Sequence, residues 1–456
     1  MCFVEKRRRI VETARLVRLK KFSSMLSRLV SSGVLASVCL LGMALGSVLH
    51  LLVPAVPLWV SGLCGWSALV FMLLGSRSLQ PFTQFFLLAG AGGLLLVWGI
   101  LRGGHVSTTD ILLQNNGLLV MLYCVGFLRL IAAGEGAVQE SLPMGRKAFL
   151  QTLLGMQLLG AVINISILML MAERLRAGGA LDRRAAVVLS RGFSMAAYWS
   201  PFFAAMAVAL TYAPGAQLYS VVLTGLGLML VSLLVSVLEL GGWRLQKVAD
   251  FRGHPLHFSS LIIPLMLAVS VMVLHAWLPS VPVLMEVSIT SVLLTVVFLW
   301  IKRPQSVRRE LTAHVQASGA RMAREVSLFL GAGLLSVGVQ TLSGTFDWQP
   351  FSHFGGLQAS LALAAAILVS LSGVHPVVSV SVLGSLLTSL PVDPNMLAVL
   401  FLCFWSLGVV ASPFSGLNTV LRGQFDVSGM ALFKGNIRYV LLMWLVASLV
   451  FFGKMG

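Results

Sequence analysis

Residues 148 to 172 read AFLQTLLGMQLLGAVINISILMLMA, a run without a single charge. It exceeds the ~20 residues with which a helix crosses a ~30 Å hydrocarbon core. Yet Arg146 and Lys147 stand before it, and Arg174, Arg176, Arg183, Arg184 and Arg191 follow it. Short loops rich in Lys and Arg stay on the cytoplasmic side, so a single crossing would put one basic group on the wrong face. Two half-helices that enter from the cytoplasm, turn near Ala161 to Asn164 and return satisfy both flanks. Non-helical backbone at that depth is stable only beside protein or a water-filled cavity. The run therefore predicts a re-entrant hairpin, and the hairpin predicts a cavity.

The rest of the chain fits a bilayer. Of 456 residues, 58% are hydrophobic and 10% charged, against roughly 25% charged in soluble domains. The net charge of +17 is spread through gaps between apolar runs rather than over one face, which marks topology and argues against nucleic acid as a partner. Cys2, Cys39, Cys64, Cys124 and Cys403 show no CxxC spacing and read as small hydrophobes. The basic N-terminal segment, residues 1–29, carries apolar residues at nearly helical spacing from Ile10 to Leu29. It suits either an interfacial helix on an anionic leaflet or a basic tail. No A-x-A cleavage site follows it.

Hydropathy places an extra N-terminal span within residues 30–55, then spans near 56–75, 81–101, 112–133, 190–213 and 216–240 in a first repeat, residues 56–240. After a cytoplasmic linker, 241–259, a second repeat, 260–453, holds spans near 260–278, 282–301, 325–343, 396–421 and 437–453. A second long apolar stretch, 358–389, is followed by Pro391-Val392-Asp393-Pro394 and must also turn back, from the opposite side. The expected fold is thus all-α and polytopic, with about eleven transmembrane helices and two re-entrant hairpins in inverted repeats. Its setting is a bacterial-type inner membrane, N-terminus cytoplasmic.

Two strings recur 212 residues apart: Ser200-Pro201-Phe202 and Ser412-Pro413-Phe414. In each half a hairpin precedes a span interrupted by this triplet. A proline inside a helix removes one hydrogen bond and clashes with the preceding turn, so both spans should break at mid-bilayer. Inverted repeats with discontinuous helices place solute between the breaks, where half-helix N-termini suit anions and freed carbonyls suit cations. Simple packing is the alternative role for both prolines.

With these motifs the chain resembles the ion transporter superfamily, which includes the arsenite-pump, citrate and divalent anion:sodium symporter families. The likeness runs from about residue 55 to 453. SGVHPVVSVSVLGSLL followed by FWSLGVVASPFSGLNTVLRG resembles that superfamily's second hairpin and broken helix, and VINISILMLMAERL with SRGFSMAAYWSPFF resembles the first pair. The resemblance implies scaffold and transport domains, an elevator-like motion and a homodimer. It also implies solute-binding roles for Asn164 at the first tip and Asn418 after the second broken helix. The Ser-Asn-Thr signature of the sodium-coupled dicarboxylate branch is absent at both tips.

The candidate binding residues are Asn164, Ser166, Tyr198, Ser200, Pro201, Ser372, His375, Ser412, Pro413, Ser415 and Asn418. The serines and asparagines offer neutral hydrogen-bonding groups, each of which can equally tie helix to helix. His375 is the ionisable residue of the tips, fit to meet an anion or carry a proton, or to satisfy a tip carbonyl. Tyr198 can pack beside solute or mark an interface. Glu239 and Glu286 lie off the broken segments and read as scaffold pairs or interfacial groups. No HExxH, phosphate loop or nucleophile elbow is present, so no enzyme is expected. The expected function is secondary active transport of a small, anionic solute in the lipid bilayer, with no cofactor beyond a coupling H+ or Na+. The competing expectation is a membrane-embedded resistance or assembly factor that keeps the fold without rapid transport.

Overall fold

The computed structural model describes residues 32–132, 142–163, 165–176, 179–256, 262–346, 353–387 and 390–455. The basic N-terminal segment lies outside these. Within them all regular structure is helical, apart from one isolated bridge between Met144 and Arg252. Eight helices are long and apolar enough to cross a bilayer. On α3 (Thr83–Leu101), Leu87, Leu94 and Leu101 form one stripe that is 68%, 75% and 80% exposed. A soluble monomer does not carry such a stripe, whereas lipid covers it without cost. The chain is an all-α, multi-pass membrane protein.

Three of the eleven expected spans differ from that pattern. α2 (Trp59–Gly75) and α12 (Ile262–Trp277) have 17 and 16 residues, too short to cross without thinning the bilayer. The third, expected at 190–213, is two helices, α9 (Arg183–Ala196) and α10 (Ala204–Tyr212). The expected span 112–133 is also divided. α4 (Thr108–Leu113) and α5 (Asn116–Val125) meet at Asn115, whose φ of 62° ends one and whose Nδ2 donates to the Phe329 carbonyl at 2.9 Å. The loop expected after α13 (Val283–Lys302) contains a full helix, α14 (Val307–Arg321), before α15 (Ala323–Ser343).

α1 (Ser32–Leu52) packs on α2 and α14, while α3 and α15 run side by side in one direction. Gly92 and Gly99 on α3 face Leu335 and Thr341, and Gly338 on α15 faces the Gly92 carbonyl, with no room for a Cβ at any of the three. Small residues are what allow helix backbones in membranes to approach this closely.

The uncharged run 148–172 lies in α7 (Arg146–Ile163) followed by α8 (Ile165–Arg176). Thr152 Oγ1 accepts from the His254 amide at 2.7 Å, and Arg174 Nη1 lies 2.8 Å from Nε2 of the same histidine. A continuous helix would separate Thr152 and Arg174 by ~33 Å. The chain instead folds back, and Gly155 faces Met171 across the fold. One linker clasps both ends of the pair. Gly145 donates to Phe251 at 2.8 Å, Gly253 to Pro143 at 3.0 Å, and Arg184 to Asp250 at 3.2 Å.

The second apolar stretch is α16 (Gly356–Leu371), a turn with Gly373 at φ 94°, and α17 (Pro376–Leu387). Positive φ at this turn favours glycine. Ser370 and Pro376, on either side of the turn, both touch Gly408 of α18 (Pro394–Ala411). Away from the turn, Ser360 bonds Ser448 of the last helix, α20 (Gly429–Met455), at 2.6 Å, and Gly384 faces Tyr212.

α11 (Leu218–Gly241) spans the distance between the two folded-back pairs. It begins where Gln217 donates to Asn395 Oδ1 at 2.7 Å and runs into the linker that clasps α7 and α8. Its 24 residues measure ~36 Å, so the two pairs start from opposite ends of the molecule.

Candidate functional site

The broken helices cross at the centre. α9 stops at Ala196 and α10 starts at Ala204; α18 stops at Ala411 and α19 (Gly416–Phe425) starts four residues past Ser412. Ser406 Oγ donates to the Ser194 carbonyl at 2.8 Å, joining two residues 212 apart in sequence. The breaks are built alike. In each, the serine oxygen accepts from the amide two residues on, Ser200 from Phe202 and Ser412 from Phe414, both at 3.2 Å. That local bond competes with helix continuation, and the proline after each serine makes continuation costly.

A cavity of about 470 Å³ lies against these breaks. Four helices begin at its wall: Ile165 of α8, Ala204 of α10, Pro376 of α17 and Gly416 of α19 all line it. The first turn of a helix has amides without intrahelical partners and carries about half a positive charge. The wall also contains pairs that stand 212 residues apart, namely Val162 with Val374, Phe193 with Trp405, Phe203 with Ser415 and Ala204 with Gly416.

Three of the expected site residues line the cavity: His375, Ser412 and Ser415. His375 sets its ring edge-on to Trp405 at 4.8 Å, and its Nδ1 accepts from the Val377 amide at 3.3 Å. Ser415 caps α19 by accepting from the Asn418 amide at 3.2 Å. The others stand behind or beside the wall. Ser200 is fully buried and donates to the Ala161 carbonyl at 2.7 Å, tying the first break to the first hairpin. Asn418 donates from Nδ2 to the Ser412 carbonyl at 2.8 Å. Pro201 lies in its break, and the Pro413 carbonyl accepts from Arg422 at 3.2 Å. Ser372 is exposed and bonds Val369, and Tyr198 is buried away from the cavity. Asn164 and the side chain of Ser166 lie outside the described residues.

Sequence reading missed the charged wall. Arg129, His314, Arg321, Arg324 and Glu325 also line the cavity. Gln114 bonds Tyr212 at 3.3 Å near the Asn395 end, and α5 leads from there back to Arg129. The charged wall therefore faces the end of the molecule where the linker clasps α7. As sequence, these residues are indistinguishable from the Lys and Arg of any inner loop.

His314 is 6% exposed, packs its ring at a 45° tilt against Phe127 with centroids 4.4 Å apart, and its Nδ1 has no partner among the described residues. Burial, then the charges of Arg321 and Arg129, pull its imidazole from 6.5 down to about 4. Its contribution to stability is thus complete above pH 6.5, falls as pH drops toward 4 because the unfolded chain binds the proton first, and is gone below. Thermal midpoints across that range should show His314→Gln losing a slope worth on the order of 3 kcal/mol. An identical acid profile in wild type and variant would contradict the buried, neutral imidazole.

No protein-family model matches the chain, and no curated protein matches it in sequence.

Proposed function

We propose that this protein is a secondary active transporter of a small anionic solute, in which the two hairpins are re-entrant, the halves are inverted repeats, and the hairpins move with the broken helices in an elevator-like step. One observation carries this reading: four helix N-termini, two from each half, begin at one cavity. Soluble anion sites use a single such N-terminus. Transporters with inverted repeats use paired breaks at the bilayer centre, where each amide is left unpaired only if a solute or water meets it.

The charges agree with that assignment. Three guanidinium groups face the cavity with one carboxylate, Glu325, among the lining residues. The positive-inside rule assigns the linker end, with Arg174, Arg176, Arg183 and Arg184, to the cytoplasm. The cavity in this conformation would then be open inward, and a translation of the hairpin domain would carry the site to the other face. The serine bond across the pseudo-axis and the residue pairs 212 apart along the wall support a repeat whose sequence identity has mostly been lost.

The test is flux. Purified protein in liposomes should accumulate at least one member of a panel of labelled carboxylates and inorganic oxyanions when a proton or sodium gradient is imposed, and should exchange it without a gradient. Liposomes that show neither accumulation nor exchange for any member would remove the transport reading and favour an assembly or resistance role.

A further inference from the structure

The charged wall is a second feature of the cavity, made by residues other than those that open the four helices. Three elements build it: Arg129 just after α5, His314 and Arg321 on one side of α14, and Arg324 in the first turn of α15. Arg321 is held in place, Nη2 donating to the His314 carbonyl at 2.7 Å and Nε to the Ala317 carbonyl at 3.2 Å. None of the three arginines forms a salt bridge with a described residue, and Glu325 Oε2 has no hydrogen-bond partner there. His314 Nδ1, on a residue more than nine-tenths buried, is likewise unpartnered.

Like charges gathered at one wall repel; Arg129 is half-buried, while Arg321 and Arg324 are exposed and free to meet a ligand from solvent. Among the described residues one carboxylate, Glu325, lines the cavity with three guanidiniums, so this wall carries an excess of positive charge that an anion would neutralise. Guanidinium forks engage oxyanions through paired N–H bonds. Donors that arrive from three separate elements suit the four divergent oxygens of a tetrahedral anion better than the two coplanar oxygens of a carboxylate.

We propose that Arg129, Arg321, Arg324 and His314 form a subsite for a phosphate-type oxyanion on the charged wall of the cavity. The anion is either a free phosphate or phosphate ester or the headgroup of an anionic lipid at the membrane surface. Binding at this subsite does not require the transport reading to hold. Only its role as the first station of a transported solute rests on that reading.

Inorganic phosphate is the probe. Full-length protein in phosphatidylcholine nanodiscs, titrated at constant ionic strength against chloride, should show a saturable rise in thermal midpoint. Arg129→Gln and Arg324→Gln should each weaken the apparent Kd about tenfold, the loss of a charge-assisted bond. Neither side chain makes a hydrogen bond to a described residue, so the variants remove charge and leave the Arg324 carbonyl, which accepts from Ser327 Oγ at 3.0 Å, in place. Arg102→Gln, at the opposite end of α3, controls for net charge and should leave the Kd unchanged. Repetition in phosphatidylglycerol nanodiscs separates the sources. A phosphate response abolished there identifies the lipid headgroup as occupant, and a preserved response identifies the free anion. No saturable response in phosphatidylcholine, or an equal response in wild type and both variants, overturns the subsite. Phosphate binding with no flux for any solute would overturn transport and leave the subsite standing.

Discussion

Replacing Arg191 with Met should destabilise the folded protein by about 3–5 kcal/mol, the usual cost of removing one member of a buried, hydrogen-bonded ion pair. Arg191 has no exposed side-chain surface, and its guanidinium joins three helices. From α9 it donates to Glu239 Oε2 of α11 at 2.9 Å, to Asn436 Oδ1 of α20 at 3.0 Å and to the Gly435 carbonyl at 2.6 Å. Its face lies 4.6 Å from the Tyr439 ring, and Asn436 turns its own amide onto Ser190 at 3.1 Å. Met fills much of the volume but leaves a carboxylate and two acceptors without a donor. Glu239 is 18% exposed, so water can reach it, and Glu239→Gln should cost clearly less than Arg191→Met. In the double variant no charge is stranded, and the loss should fall short of the sum of the two. Thermal midpoints of the four proteins in one detergent check this. Additive losses would mean that the two side chains act independently.

Arg191 also marks where sequence reading stops. In the sequence it is the last of five arginines after an apolar run, and its sign correctly assigns that region to the same end as the linker. Its ion pair depends on Glu239, 48 residues on, and on a helix 245 residues away, and no local pattern encodes such separations. Signals that act over one helix or one loop were legible. Charge flanking residues 148–172 required the chain to fold back, and Thr152 and Arg174 meeting one histidine realise that fold. The Ser-Pro-Phe triplets located both breaks, because a serine that bonds its own backbone and a proline without an amide act within four residues.

Other features were present in the sequence but read for a different purpose. Gln114-Asn115-Asn116-Gly117 is a turn signal inside an apolar window. The window average absorbed it, and the break at Asn115 was missed. α14 carries Arg308, Arg309, Glu310 and Arg321 and therefore reads as a cytoplasmic loop. Its buried side, with His314 and Ser318, becomes visible only once α1 and the cavity pack against it. Hydropathy distinguishes lipid from water, but it does not distinguish water from a cavity, so both walls of the site fall partly outside its reach.

Asn418→Leu should be as damaging as Asn418→Ala, and that equality separates hydrogen bonding from packing. The side chain is fully buried. Its Nδ2 meets the Ser412 carbonyl at 2.8 Å and approaches those of Val409 and Val410 at 3.4 and 3.5 Å. The Val409 and Val410 carbonyls are ones that the end of α18 leaves without an intrahelical donor, whereas the Ser412 carbonyl also accepts from the Ser415 amide at 3.2 Å; an unpaired carbonyl at a buried position in a membrane is costly. Leu restores volume but no donor, so both variants should lose about 1–3 kcal/mol for each carbonyl stranded. The first half has no such amide to share the task, because the position 212 residues earlier is Met206. There Ser200 instead ties the break to the first hairpin through Ala161. The second break therefore depends on one side chain. Loosening it should displace Ser412 and Ser415 from the cavity wall, so exchange of any transported solute should fall with the thermal midpoint in both variants. A Leu variant with wild-type stability would show that Asn418 contributes shape alone, and would leave its unpartnered Oδ1 as the remaining reason for an amide at this position.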